Sequence, residues 1–302
     1  PDLQARIQVS LFNILQEGDI QIRGFQLRMP LDIQFVFTAN PEDYTNRGSI
    51  VTPLKDRIGS QIFTHYPKSI ELARAITEQE ARISHEDKSR ITIPNLAKDV
   101  LEEVAFEARN SEYVDAKSGV SARLTISAME NLFAAAKLRL IETGSDHTSV
   151  RLVDFISIIP SITGKIELVY EGEQEGADGV AKMLIDNAMM VQFEKLFPRI
   201  PKLEKEGVST PFTDTIDWFN DNFLELNYTD EDAEFKANLL MVAPLVELVD
   251  EYCTKFSDED KLFCMELVLW CLTVSNKLDK SENDNAFKFD SVGIGSQFFG
   301  NN

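Results

Sequence analysis

At 302 residues, with 43% apolar and 26% charged side chains, the chain has the composition of a globular protein and the length for two or three domains. Its formal net charge of −20 excludes a free-standing nucleic-acid binder, whose footprint is a clustered basic face, but is compatible with an acidic ATPase that holds ATP with a few placed arginines. No apolar run approaches the roughly 20 residues of a membrane span, and no signal-peptide pattern opens the chain.

The first residues, "PDLQARIQ", already lie inside a helical pattern: Leu3, Ile7, Leu11, Ile14 and Leu15 recur at helix spacing. This reads as a piece whose N-terminal part is missing. "DIQIRGFQLRMP" alternates apolar and polar residues on both sides of Arg23-Gly24, the pattern of a β-hairpin. Ile33 to Phe37, "IQFVF", is apolar on nearly every residue and predicts a strand covered on both faces. Thr52-Pro53 reads as the cap and first position of a short helix ending in Asp56-Arg57. "SQIFTHYP" reads as a second short strand closed by Pro67.

Beyond Pro67 the periodicity is helical. Leu72, Ile76, Gln79 and Ile83 mark one helix, and Leu96, Val100, Val104 and Ala108 a second that Pro94 opens. "SARLTISAMENLFAAAKLRLIETG" is a third, ended by Gly144. Helical spacing resumes in "VRLVDFISIIP" and "GVAKMLIDNAMMVQFEKLF". The acidic run "YEGEQEGADG" lacks the spacing of a calcium loop and reads as a solvated loop. "PRIPKLEKEGVSTP", residues 198 to 211, is rich in Pro, Lys and Glu and is the linker candidate. Three further helices are predicted in "FTDTIDWFNDNFLEL", "FKANLLMVAPLVELVDEYC" and "DEDKLFCMELVLWCLTVSNKL". The aromatics Trp218, Phe219 and Phe223, with Leu267, Trp270 and Leu272, read as helical core. From Lys280 onward no period is visible and the tail reads as loose. The three cysteines, Cys253, Cys264 and Cys271, read as buried free thiols of a cytoplasmic protein; too few Cys and His lie near them for a metal site.

"LFNILQEGDIQIRGFQLRMPLDIQFVFTANPEDYTNRG", followed by "TPLKDRIGSQIFTHYP", resembles the magnesium-chelatase ATPase-subunit and MoxR-like branch of the AAA+ superfamily. There a helix leads to an inserted hairpin, then to a strand ending on a polar sensor, then to a short helix ending Asp-Arg. The resemblance covers residues 1 to about 67 with specific motifs and continues more loosely to about 200. It implies an α/β remnant of an AAA+ core (a β-hairpin plus two strands and helices) over residues 1–67. A mostly α-helical lid over residues 68–200 follows, and a C-terminal helical region with a loose tail over residues 201–302.

The same resemblance assigns roles. Asn40, at the tip of the expected strand, matches the first sensor, whose carboxamide can donate and accept and so hold an attacking water or read the γ-phosphate of ATP. Arg57 matches the arginine finger, which stabilises charge on the transferred phosphoryl group of a neighbouring subunit's ATP. Relatives often carry a further Arg where this chain reads "SIVTP", and Arg47 is the candidate for that contact. Arg123, in "GVSARLTISA", matches the second sensor at the opening of a lid helix. The hairpin tip Arg23-Gly24-Phe25 reads either as a projection toward a ring pore or partner, or as a cover over the core.

The sequence G-x-x-x-x-G-K-[ST] occurs nowhere, and no acidic pair of the kind that holds Mg²⁺ precedes the sensor strand. The resemblance therefore implies the C-terminal part of a ring-forming, homo-oligomeric ATPase that uses ATP and Mg²⁺ when complete and is inactive as this piece. In the family the remodelled partner is commonly a von Willebrand factor A-domain protein, with a tetrapyrrole metal chelatase as one case. Two other readings are a non-catalytic interaction scaffold derived from an AAA+ protein and a DNA-dependent regulator. The acidity and the lack of a basic helix-turn-helix disfavour the regulator.

Overall fold

The computed structural model describes residues 58–201, 209–282 and 286–293, together with Gln8, Leu11, Ile14, Leu15, residues 19–22, 24–28 and 34–38, Thr52 and Asp56. The chain divides into two compact units, Pro1–Tyr66 and Pro67–Asn302. The described chain is mixed α/β and mainly helical, with small sheets.

In the first unit Gln8, Leu11, Ile14 and Leu15 are helical, as their spacing predicts. Strands β1 (Asp19–Ile22) and β2 (Phe25–Arg28) pair antiparallel, with Ile22 opposite Phe25 across a two-residue turn. Gly24 in that turn has φ +85°, a conformation that costs glycine nothing. The Asp56 amide donates to the Thr52 carbonyl at 3.1 Å, one helical turn.

The two strands expected after the hairpin are not formed. Residues 34–38 and 60–66 belong to no ladder, and Val36 is 80% and Ile62 89% exposed. An apolar run becomes a strand only when a neighbouring edge takes up its backbone groups. Among the described residues of this unit, β1 and β2 pair only with each other.

In the second unit α1 (Ile70–Glu80) starts at Ser69, whose hydroxyl accepts the Leu72 amide. Helix α2 (His85–Arg90) starts at Ser84 in the same way, through Asp87. A short β3 (Ile91–Thr92) then leads to α3 (Asn95–Asn110), in which Leu96, Val100, Val104 and Ala108 are all buried at their predicted spacing. Helix α4 (Arg123–Thr143) ends at Gly144 with φ +70°, again as predicted. Strand β4 (Thr148–Ser149) lies parallel to β3. A 3-10 turn over Leu152–Ile158 runs into α5 (Ile159–Thr163).

The acidic run is not a loop. It forms α6 (Tyr170–Glu175), turns at Gly176, and starts α7 (Ala177–Leu196). Gly172 explains why: it is buried, and a Cβ there would lie 2.5 Å from the Tyr113 carbonyl oxygen. The Val169 amide donates to that same carbonyl at 3.1 Å, so the backbones touch and the acids face outward.

Past the predicted linker, α8 (Thr213–Trp218) is short and gives way to β5 (Leu224–Asn227), where a continuous helix was expected. Phe219 is buried, but Phe223 is exposed beneath the Lys288 ammonium. Helices α9 (Asp232–Leu240), α10 (Ala243–Tyr252) and α11 (Asp258–Val274) follow. The segment from Lys280 is not loose throughout. Strands β6 (Leu278–Glu282) and β7 (Ala286–Ser291) join β5 in an antiparallel sheet ordered β5-β7-β6. Phe287 and Phe289 are buried on it, and the pairing of Leu224 with Phe289 is too distant in sequence for local periodicity to reveal. One continuous core of apolar side chains runs from Ala81 to Phe289, across the predicted linker.

Polar contacts inside this unit join segments far apart in the chain. Arg139 on α4 donates to both oxygens of Asp154, at 2.7 and 3.0 Å, and to the Ser149 carbonyl at 2.7 Å. Burial opposes the Arg139 charge, but Asp154 beside it raises its pKa nonetheless. Arg151 is 2% exposed and donates to the Asp230 carbonyl and to Asp232, with its guanidinium 4.1 Å from the Phe235 ring centre. Both Glu266 oxygens on α11 accept the Leu152 amide, at 3.1 and 3.2 Å. At the other end of α11, Asp260 accepts the Leu96 amide at 3.1 Å, capping α3 from a helix more than 160 residues away.

Two expectations test this account. Replacing Arg139 by Met leaves Asp154 buried without its main partner and should cost about 3–5 kcal/mol in urea unfolding, with Arg139→Met/Asp154→Leu recovering part of the loss. Gly172→Ala should destabilise the chain by about 1–3 kcal/mol, because the atom in its way is backbone and cannot rotate aside.

Candidate functional site

Of the three residues assigned a role in ATP chemistry, Arg123 is the one the structure describes. Asn40 and Arg57 lie outside the described residues, as do Arg47 and Arg23. Arg123 is the first residue of α4 and is exposed. Its backbone amide donates to the Ser121 hydroxyl at 3.2 Å, and the Leu124 amide donates to the Ser121 carbonyl at 3.0 Å. The N-cap position is Ala122, one residue after the serine that "GVSAR" suggested, while the Ser121 hydroxyl still takes up the Arg123 amide and Gly119 at φ +69° turns the chain just before it. The Arg109 Nε, from α3, donates to the Val120 carbonyl at 3.2 Å and fixes the entry to the helix.

The guanidinium of Arg123 makes no hydrogen bond, ion pair or ring contact with any described residue. Its Cα sits at a helix start, where the helix dipole is positive, although the Arg123 and Leu124 amides there are already taken up by Ser121. A free cation next to that terminus can add its charge to that of the dipole.

Beneath this helix start is a buried polar cluster that the sequence reading missed. The Thr125 hydroxyl, in the first turn of α4, lies 2.9 Å from the Thr77 hydroxyl on α1. Next to them Glu102 of α3 is 2% exposed, and its Oε1 has no hydrogen-bond partner. Burial pushes its pKa up to about 7, while the Thr77 and Thr125 hydroxyls and the charges of Arg109 and Arg74 hold it back. Further along α4, Glu130 accepts the Arg82 amide just past the end of α1, at 2.9 Å. The signal in the sequence was faint: Glu102 sits beside a second acid in "VLEEVAF"; both are buried, and only the neighbouring helices decide that Glu103 meets Gln192 and Lys195 while Glu102 faces the threonines.

The remaining candidates do not form a site. His65 contacts the Tyr66 carbonyl next to it, and His85 is the exposed first residue of α2. Among the described residues no group of His, Cys, Asp and Glu is arranged to hold a metal ion. The Cys253 and Cys264 sulfurs are 3.5 Å apart, and all three thiols are free and buried. Among the described residues no helix is long and apolar enough to cross a membrane.

Comparison with known proteins yields no matching family model, no matching curated protein and no matching solved structure.

Glu102 supplies a pH test of the cluster beneath α4. Its pKa is about 7 in the folded chain and 4.5 as an ordinary carboxyl, so the folded state binds the proton more tightly. Its contribution to stability is therefore complete below pH 4.5 and is lost as pH rises through 7, by about 3 kcal/mol at most. Glu102→Gln should remove that part of the pH dependence of urea unfolding, and the variant should be more stable than the parent at pH 8.

Proposed function

We propose that these residues are the sensor- and lid-bearing part of a ring-forming AAA+ ATPase of the magnesium-chelatase and MoxR-like type. In this reading residues 1–66 carry the sensor Asn40 and the finger Arg57, and the helical unit is the lid with its C-terminal extension. ATP and Mg²⁺ are bound mainly by residues that this sequence does not contain. Hydrolysis at subunit boundaries remodels a partner protein, for which a von Willebrand factor A-domain protein is the family precedent.

The observation that carries the reading is Arg123. A guanidinium with no partner among the described residues opens a helix of 21 residues whose first turn is held by Ser121 and Thr125, with Glu130 held further along. A lid needs such a group: a change in the angle of the helix moves the charge toward or away from a γ-phosphate, and nothing local competes for it. The order of hairpin, Asn40 and Asp56-Arg57 ahead of it supports the same assignment.

One observation favours the second reading, an interaction scaffold without catalysis. Among the described residues, 34–38 and 60–66 form no ladder, so the described part of the run expected to lead to the sensor is not a strand. The two readings separate in the full-length protein. On the ATPase reading, Arg123→Ala lowers ATP turnover by about 10²-fold with the fold unchanged. Mixing subunits that carry Arg57→Ala with subunits dead in nucleotide binding restores turnover relative to either alone. The 302-residue chain by itself should hydrolyse no ATP. Full activity of the Arg123→Ala protein, or turnover by the isolated chain, would overturn the assignment.

A further inference from the structure

We infer that a cavity in the helical unit, remote in sequence from Asn40 and Arg57, binds a free aromatic amino acid. The cavity has a volume of about 410 Å³, within the range of about 300–1,000 Å³ typical of small-molecule sites. It opens between α7, the end of α11, the start of β6 and the 3-10 turn before α5. Its accessible apolar lining is Ile156, Ile159 and Val274, backed by the buried Phe155, Ile185 and Leu278, and Trp270 forms a further side.

Two opposite charges line it from one helix face. Lys182 and Asp186 are one turn apart on α7, a spacing that puts side chains about 5–6 Å apart at their Cβ atoms. They make no ion pair with each other, and Lys182 has no hydrogen-bond or ion-pair partner among the described residues. Asp186 is held by the Trp270 indole, whose N–H donates to Oδ1 at 2.7 Å, while Oδ2 has no partner among the described residues. Burial raises the pKa of Asp186, although the Trp270 hydrogen bond and the charges of Lys280 and Lys182 oppose the rise. A donor on a ligand is therefore what this carboxylate gains most from. Lys280 adds positive charge to the same end of the cavity, its Nζ lying 3.2 Å from the Trp270 ring centre.

This pattern selects a zwitterion with an apolar body. An ammonium donates to Asp186 Oδ2, an adjacent carboxylate meets Lys182 in the field of Lys280, and the side chain lies along the apolar wall. A simple acid or amine satisfies one charge and leaves the other facing apolar surface. The volume exceeds that of a small aliphatic amino acid, and an aromatic ring uses it best. The indole is fixed by Asp186 on its edge and by Lys280 on its face, so the site is ordered before a ligand arrives.

Isothermal titration of the 302-residue chain with L-phenylalanine tests the assignment, beside phenethylamine, which lacks the carboxylate, and 3-phenylpropionate, which lacks the ammonium. Saturable binding of phenylalanine is expected, with each single-charge analogue at least about tenfold weaker, the loss of one charge-assisted hydrogen bond. Asp186→Asn, which can still accept the Trp270 N–H, should weaken phenylalanine about tenfold and leave phenylpropionate unaffected. Ile159→Trp, which fills the cavity from its rim, should abolish binding in a variant whose circular dichroism matches the parent. Absence of saturable phenylalanine binding, equal affinity for phenylpropionate, or unchanged binding in the Ile159→Trp chain would overturn it. Loss of ATP turnover in the Arg123 or Arg57 variants leaves these outcomes untouched.

Discussion

The pairing of Arg139 with Asp154 is the interaction on which the helical unit depends. Both side chains are 5% exposed, and the two parallel bonds between them draw the C-terminal part of α4 onto the 3-10 turn that follows β4. From there the contacts spread. Asp154 also accepts the Arg151 amide, Arg151 reaches Asp230 and Asp232, and Glu266 accepts the next amide along the chain. Charges so enclosed add little net stability over a well-packed apolar substitute, but removing one leaves its partner stranded. Their effect is on geometry: bidentate bonding fixes the orientation of the planar guanidinium as well as its distance.

Through α4 the network reaches the candidate site. Its C-terminal part is held by Asp154 through Arg139, its third turn by the Arg82 amide on Glu130, and its first turn by Thr77 through Thr125, so Arg123 stands at the end of a braced helix. A sensor that reports the position of a phosphate needs such a base, because a soft support would absorb the movement it has to transmit. The C-terminal elements share in this bracing. Asp232 accepts from both Thr148 and Arg151, and α11 caps α3 through Asp260.

Glu266 shows how closely charge is balanced inside this network. Burial pushes its pKa up to about 8; the Leu152 amide and Arg151 pull it down, and Asp154 pushes it up again. Arg151 is affected in the opposite sense: burial lowers its pKa first and Arg139 nearby lowers it further, against the attraction of Asp232 and Glu266. Its Nε and Nη1 have no hydrogen-bond partner among the described residues, and the face of Phe235 covers the guanidinium. The segments that meet here are brought together around a few buried charges, each of which needs the others.

The sequence by itself determined the local elements: the hairpin at Arg23-Gly24, the helix over Leu96 to Ala108, the start of α4 at Arg123 and its stop at Gly144. Each is set by contacts within a few residues, such as a cap, a glycine with positive φ or apolar side chains one turn apart, and these are visible in a linear string. It did not single out the acids inside apolar runs, Asp154 in "RLVDFISII", Asp186 in "MLIDNAMM" and Glu266 in "CMELVLW". Tertiary structure alone decided that residues 34–38 and 60–66 lie in no sheet while the segment after Lys280 does, because a strand exists only where another edge completes its hydrogen bonds. It decided as well that Glu102 is covered, that Trp270 meets Asp186, and that one core crosses the predicted linker. Those outcomes depend on which helix faces which, and helical periodicity identifies an apolar face without naming its partner.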